Sequence, residues 1–362
     1  MYFKIATVPS KGNHENEDFQ GIDFRPTKIN NYDRIKLDGT RKLKVSKQYY
    51  LNASSRRGFV LYKTLQLSRL LVLSRCPTCI ISAQENFTAQ PTDIIISSFP
   101  KSGTTWLKAL CFAILRRNHL RDASTNRLLT ELPHDIVPFI DYSTDNGGIR
   151  VPNDLPLWAT HIPYSSLPKS ILESNCKIIF IGRNPKDVFV SLWHFISRVS
   201  GAGTRILPLE EVFQGFCKGV TMYGPYWDHV LGYWKASLQF PDRILFIKYE
   251  DLQLDTLSSV KRLAEFMGCP FTMEEERQGL VQEVVDLCSF QLLSNLEVNK
   301  SKEYFSTWPA KFEHNAFFRK GKIGDWENYL TPEMVAQLDE ITEKKFGGSG
   351  LSFVTSITSP TP

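Results

Sequence analysis

"PTDIIISSFPKSGTTWLKALCFAILRR", residues 91–117, sets an apolar run, a turn rich in hydroxyls and an amphipathic run end to end. Ile94 to Phe99 is a short β-branched stretch, which suits a strand buried on both faces. Beyond the turn, Trp106, Ala109, Leu110, Ala113 and Ile114 recur at the spacing of one α-helical face. The unit is strand, tight loop, helix. A loop that feeds a helix N-terminus presents unpaired backbone N–H groups and the positive end of the helix dipole, so it is an anion site. Lys101 adds a mobile positive charge. Ser102, Thr104 and Thr105 add hydroxyl donors, and Gly103 lets the backbone approach a ligand closely. Phosphate is the ligand such a turn suits. The nucleotide-triphosphatase consensus G-x-x-x-x-G-K-[ST] places its lysine after the second glycine. Here Lys101 precedes the only glycine, which speaks against an ordinary triphosphate site and leaves a kinase with a related loop as a rival reading.

The same logic recurs downstream. "CKIIFIGRNPKDVFVSLWHFISRV" (176–199) reads as strand, turn and helix, with Asp187 as N-cap and Phe189, Leu192, Trp193 and Ile196 as the buried face. "LWATHIP" (157–163) and "RILFIKYEDL" (243–252) read as strands. "PYWDHVLGYWKASLQF" (225–240) reads as a helix burying Trp227, Val230, Leu231, Trp234 and Leu238. A last helix has Thr331 as N-cap, Pro332 at its first position and Gly347 beyond its end. Strands alternating with helices predict a single α/β domain with a central parallel sheet flanked by helices on both faces, built around a P-loop-like strand, loop and helix. Ligands bind at the carboxyl ends of the strands in such sheets.

The chain has 362 residues, 42% of them hydrophobic and 22% charged, with a net charge of +5. That composition is ordinary for a soluble globular protein, and the mild positive charge fits a small anionic substrate at least as well as nucleic acid. Residues 1–48 are polar and aperiodic and read as a loose N-terminal extension, 49–353 as the folded domain, and 354–362 as a flexible tail. The 7 cysteines are scattered. Cys76 and Cys79 have no second pair at zinc-ribbon spacing, so a reducing compartment and no metal site are expected. No apolar run approaches the roughly 18 residues of a membrane span and no secretory leader is evident, so the sequons at Asn52, Asn86 and Asn299 read as chance and the cytoplasm is the expected location.

Two further segments point to the same anionic ligand. Arg183 ends a strand and Ser191 follows in the next helix. Arg319 and Lys320 precede Gly321 in a compact cationic turn, so two phosphate subsites are expected. With these residues in view, the sequence resembles the cytosolic sulfotransferase family, most closely its plant branch. "FPKSGTTW" looks like that family's 5′-phosphosulfate loop, "GRNPKDVFVSLWHF" like its 3′-phosphate segment and "FFRKGKIGDW" like its C-terminal nucleotide motif. "ATHIPYSSLP" is similar to the segment carrying the catalytic histidine, and "GPYWDHVLGYWKAS" to a shared helix. The resemblance covers about residues 80–353.

The resemblance implies a donor, 3′-phosphoadenosine 5′-phosphosulfate (PAPS). Lys101, Ser102, Gly103, Thr104 and Thr105 would hold its 5′-phosphosulfate, with Trp106 beside the adenine. Arg183 and Ser191, joined by Arg319, Lys320 and Gly321, would take the 3′-phosphate. Tyr249, Cys288, Ser289 and Phe290 match positions lining the adenine. His161 matches the general base, Lys101 is the stabiliser of the leaving group, and nothing in the pattern requires a metal. The acceptor would be a small hydroxylated molecule such as a steroid, flavonoid, hydroxyjasmonate or desulfoglucosinolate, and the protein a monomer or weak homodimer with no nucleic-acid or membrane partner.

Two departures stand out. "KTLQLSRLLVLSRCPTCI" (63–80) has leucines and arginines where relatives carry an aromatic-rich acceptor gate, which motivates the alternative of a donor-binding protein with impaired activity. "ENYLTPEMVA" (327–336) replaces the animal-type dimer motif.

Overall fold

The computed structural model describes residues 76–141, 155–199, 207–300, 303–304 and 312–354. All of them belong to one compact unit, Phe59–Pro362, while the unit Met1–Gly58 lies wholly outside the described residues. The expected N-terminal extension, residues 63–75 of the leucine- and arginine-rich stretch, and the tail beyond Val354 likewise lie outside them.

Strand β1 (Ile94–Ser98) is central. It pairs in parallel with β2 (Leu157–Thr160) on one side and β3 (Lys177–Gly182) on the other, and β4 (Ile244–Lys248) pairs in parallel with β3, giving the order β2-β1-β3-β4. Every residue of β1 is buried, as its unbroken apolar run requires of a strand covered on both faces. Alternation along the strands sorts the side chains. Ile95, Trp158, Ile178 and Phe180 enter one core, whereas Ile94, Ile96, Leu157, Ile179 and Ile181 enter the other.

Helices close both faces, as expected. Helix α1 spans Cys76–Asn86, α2 Thr104–Leu115, α3 Pro185–Val199 and α4 Tyr226–Gln239. Helix α5 spans Tyr249–Leu254, α6 Thr256–Met267, α7 Leu280–Leu287 and α8 Pro332–Phe346. The first core collects Phe189 and Leu192 of α3, Trp227 and Tyr233 of α4 and Leu338 of α8. The second collects Leu107 and Leu110 of α2, Leu263 of α6 and Val284 of α7. Helix α8 is built as its sequence predicts: the Thr331 hydroxyl accepts from the Met334 N–H and Pro332 is the first residue.

Four details differ from the sequence expectation. Strand β2 stops at Thr160, because the carboxylate of Asp141 takes the Thr160 hydroxyl (2.5 Å) and the His161 N–H (2.8 Å). Strand β4 stops at Lys248, opposite Gly182, the last residue of β3; with no neighbour beyond it, the chain turns into α5, whose first turn carries Glu250 and Asp251. On α4 the buried face is rotated towards Tyr226, Val230 and Tyr233, leaving Leu238 62% exposed. The two tyrosines explain the rotation, since their hydroxyls reach the Arg183 and Ile162 carbonyls across the core.

The fourth is Asp187. It does not cap α3: the side chain of Asn184 accepts from the Lys186 N–H at 2.9 Å instead, and Pro185 opens the helix. Asp187 is fully buried in the first turn, where its carboxylate accepts the N–H groups of Gly324 (2.9 Å) and Trp326 (3.2 Å). It thereby fastens the C-terminal cationic turn to the sheet.

The carboxyl ends of all four strands meet at one edge, where β1 leads to Lys101, β2 to His161, β3 to Arg183 and β4 to Tyr249. Asp187→Ala should cost about 2–4 kcal/mol in urea unfolding, because two buried donors lose a charged acceptor. A loss below about 0.5 kcal/mol would show that the turn does not depend on this carboxylate.

Candidate active site

The loop after β1 is shaped by two residues in the left-handed region, Lys101 at φ 71° and Gly103 at φ 115°. A methyl group on Gly103 would lie 2.8 Å from the Tyr249 ring and 3.0 Å from Ile181, so only glycine lets the loop lie against β3 and α5. The Ser102 N–H returns to the Phe99 carbonyl at 3.1 Å, and Ser98 and Thr104 share a hydroxyl hydrogen bond of 2.7 Å. Ser102 is fully buried and its hydroxyl has no hydrogen-bond partner. The Lys101 ammonium sits 4.2 Å above the Phe195 ring. Burial, with Arg319, Arg183 and Arg198 nearby, pushes its pKa down to about 7. The lysine is half-buried, so the three guanidinium groups matter to this shift as well as the loss of water.

Arg183 is only 5% exposed. Its guanidinium donates to the Lys322 carbonyl at 2.7 Å and to the Lys101 carbonyl at 3.5 Å, stacks 4.2 Å over Tyr249, and lies 3.7 Å from Asp187. Arg183 thus ties the two cationic turns together through their backbones, and its buried Nε keeps no partner. Across the cavity, Arg319 pairs with Asp325, as does Lys320 at 2.8 Å; the Nε of Arg319 is also buried and unpartnered. Gly321, at φ 62°, would bring a methyl group within 2.5 Å of the Phe290 ring.

His161 follows β2. Its Nδ1 lies 2.8 Å from the Ser98 carbonyl, which can only accept, so Nδ1 carries the hydrogen and Nε2 keeps a lone pair. Burial, reinforced by Lys108, His229 and Lys101, pushes its pKa down to about 3, so the imidazole is neutral at ordinary pH. Asp141, whose pKa burial lifts to about 6, holds the His161 N–H and also bonds the Tyr223 hydroxyl. Tyr223 adopts φ 59° and packs its ring 5.5 Å from that of His161. Phe139 packs against the imidazole from another side, at 4.9 Å.

Every sequence-predicted site residue except Ser102 lines a single cavity of about 340 Å³. Thr104, Thr105 and Trp106 face it from α2, Ser191 from α3, and Cys288, Ser289 and Phe290 from the turn after α7. Ser102 lies beneath the loop. Much of the remaining wall is apolar and aromatic: Phe139 and Tyr223 pack on His161, Phe195 and Phe317 lie beside Lys101, and Met222 lines it as well. Sequence reasoning missed that wall, and also missed His134, Lys108, Asp141 and Glu250. His134 lines the cavity, and Lys108 and Glu250 are fully buried. Glu250 accepts the Asn184 N–H at 2.8 Å, and burial lifts its pKa to about 7. The one sequence signal available was a lysine and an acid inside otherwise buried helical turns. His229 and His314 do not line the cavity; each donates from Nδ1 to a backbone carbonyl, His229 to that of Tyr223 (2.9 Å) and His314 to that of Val298 (2.8 Å).

A parallel α/β sheet with a lysine-bearing loop at one strand end, three arginines around it and a neutral imidazole nearby defines an enzyme that handles an anionic group. The Sulfotransferase domain family matches residues 91–350, and the chain belongs to that family. It is 50% identical over 281 residues to cytosolic sulfotransferase 17 of Arabidopsis thaliana, covering 75% of this chain and 79% of that one. It is 48% identical over 277 residues to flavonol 4′-sulfotransferase of Flaveria chlorifolia, covering 75% and 84%. Among solved structures, the mouse sulfotransferase SULT7A1 complexed with PAP is similar with a TM-score of 0.58 and 26% identity, over 76% of this chain and 91% of that one. The chain is therefore a sulfotransferase, and sulfuryl transfer is its chemistry.

A lysine poised near neutral pH reacts as a free amine where ordinary lysines are protonated. Competitive acylation read by mass spectrometry should show Lys101 labelled ahead of the surface lysines at pH 7.5, with a midpoint near 7. A midpoint above about 10, the ordinary lysine value, would contradict the environment described.

Proposed function

We propose that the cavity binds PAPS and that the enzyme transfers its sulfuryl group to a hydroxyl of a small acceptor, with His161 as general base and Lys101 stabilising the departing phosphate. The observation that carries this reading is the convergence on one cavity of two cationic turns, around Lys101 and Arg319, with a neutral imidazole whose Nε2 is kept as an acceptor. Fit supports it. Ser102, Arg183 and Arg319 each hold a buried polar atom without a partner, and Gly103 and Gly321 leave cradles that a methyl group would fill. Lys101, Thr104 and Thr105 then take the 5′-phosphosulfate, Arg183, Ser191, Arg319 and Lys320 the 3′-phosphate, and Trp106, Tyr249 and the Cys288–Phe290 turn the adenine. The bound PAP of the mouse relative agrees with such a donor.

The acceptor oxygen attacks sulfur in line while the sulfur to bridging-oxygen bond breaks, and the acceptor proton passes to Nε2 of His161. By analogy with phosphoryl transfer the transition state is loose, so negative charge gathers on the bridging oxygen. A cation there stabilises the transition state more than the ground state. Lys101 supplies it, because an anion in the cavity offsets the arginines and raises the lysine's pKa, keeping the ammonium form. The base must start neutral, and burial of His161 ensures that.

The aromatic wall beside His161 suits a flat hydroxylated acceptor such as a flavonoid or steroid. The flavonol sulfotransferases among the relatives favour the former. The relatives named cytosolic support a cytoplasmic enzyme, and among the described residues no helix is long and apolar enough to cross a membrane. We read the protein as a monomer or weak homodimer. The alternative of impaired activity rests on residues 63–80, of which only 76–80 are described, in α1.

His161→Ala should lower turnover on a flavonol panel by about 10²–10⁴-fold while leaving calorimetric affinity for 3′-phosphoadenosine 5′-phosphate within a few fold. Near-normal turnover in this variant would remove His161 from the chemistry.

A further inference from the structure

The chemistry proposed above leaves one buried lysine unused. Lys108 lies one helical turn after Thr105 on α2 and is fully buried. Its Nζ is surrounded by the Val137 carbonyl at 2.8 Å, Nδ1 of His134 at 3.0 Å and the face of the Phe139 ring at 3.3 Å. A carbonyl and an aromatic face accept, and the ring nitrogen accepts when its hydrogen is on Nε2; burial pushes the Lys108 pKa well down while Asp141 and Asp135 pull it up, and in the ammonium form these three directions match its three hydrogens. With Lys108 donating to Nδ1, the hydrogen of the neutral His134 ring sits on Nε2. That atom lies 2.9 Å from the Thr105 hydroxyl oxygen, which must then accept. The imidazole is held in place by rings on two sides, stacked on Phe139 at 5.4 Å and tilted against Phe317 at 4.2 Å.

We propose that Lys108, His134 and Thr105 form a one-way donor chain that commits the Thr105 hydroxyl hydrogen to an anionic oxygen in the cavity, making Lys108 and His134 positioning residues for the donor substrate. A threonine hydroxyl that is free to rotate spends part of its time presenting its lone pairs to the cavity, where they repel an anion. With the lone-pair side occupied by His134, the hydroxyl presents its hydrogen, and the ligand meets a donor that needs no reorientation. Lys108 thus acts on the ligand through two hydrogen bonds, without entering the cavity. The proposal rests on the reading that the loop at 101–105 holds the sulfuryl end of PAPS.

The test is a double-mutant cycle on the full-length enzyme, reading calorimetric affinity for 3′-phosphoadenosine 5′-phosphate and the donor KM and kcat. Thr105→Val and His134→Leu should each weaken donor binding on the order of tenfold, the size of a hydrogen bond to a charged group. The double variant should be no weaker than either single one, because both remove the same bond. His134→Gln should stay within about threefold of wild type, since an amide can accept from Lys108 and donate to Thr105. Additive losses, or a His134→Gln as weak as His134→Leu, would overturn the chain and reduce His134 to a packing residue. If His134→Leu does not fold, His134→Asn replaces it in the cycle, being too short to bridge Lys108 and Thr105, and the same non-additivity is required. Failure of the wild-type protein to bind the bisphosphate would overturn the PAPS reading itself, and with it the chain. Tight wild-type binding combined with additive losses would overturn the chain alone.

Discussion

Asp187 is the interaction on which the cavity depends. Two stretches of chain more than a hundred residues apart, the start of α3 and the turn at 319–326, meet because this buried carboxylate accepts two backbone N–H groups of the later one. The same first turn carries Arg183 at its edge, and the guanidinium binds carbonyls of both cationic turns. A carboxylate and a guanidinium therefore bind backbone groups rather than engaging only each other. That arrangement satisfies peptide groups that would otherwise be buried unpaired, and it leaves the cationic tips of the turns directed at a shared space.

The cost appears in the lysine. Lys101, Arg183, Arg198 and Arg319 crowd one region, and burial first, then repulsion from the three guanidinium groups, lowers the pKa of the one member that can shed its proton. Two buried carboxylates respond in the opposite sense: Asp141 and Glu250 are lifted by burial to about 6 and about 7. Burial is the leading cause of all three shifts, and for Lys101 an anion in the cavity would also offset the nearby arginines.

The sheet, its flanking helices and the anion loop were legible in the sequence because they rest on local signals: the β-branched run at 94–99, the helical spacing from Trp106, and the Thr331–Pro332 start of the last helix. The cationic residues at strand ends were legible for the same reason. Asp187 was read as a cap because an acid stands just before the buried face that begins at Phe189, although the pairing of a cap with proline at the first helical position fits Asn184 and Pro185, as the structure has it. The actual partners of Asp187, Gly324 and Trp326, are visible only in the folded chain. Lys108 carried no signal of its own, since nothing near it in sequence discloses that Val137, His134 and Phe139 enclose it. The aromatic wall escaped notice because it is gathered from Phe139, Phe195, Met222, Tyr223 and Phe317, which share no periodic pattern.

Gly103 and Gly321 divide the cavity into two halves with different tolerances for change. Around them the boundary is formed by backbone pressed against Tyr249 and Phe290, with no room for even one added carbon. Around His161 the boundary is formed by side-chain tips, which substitution can shorten, lengthen or polarise without disturbing the sheet. A gene copy drifting under weak selection would thus keep the first half or lose the protein, while the second half could be remodelled one residue at a time. New acceptor preferences can accumulate on this scaffold with the donor end held constant, because the two ends are made of different material.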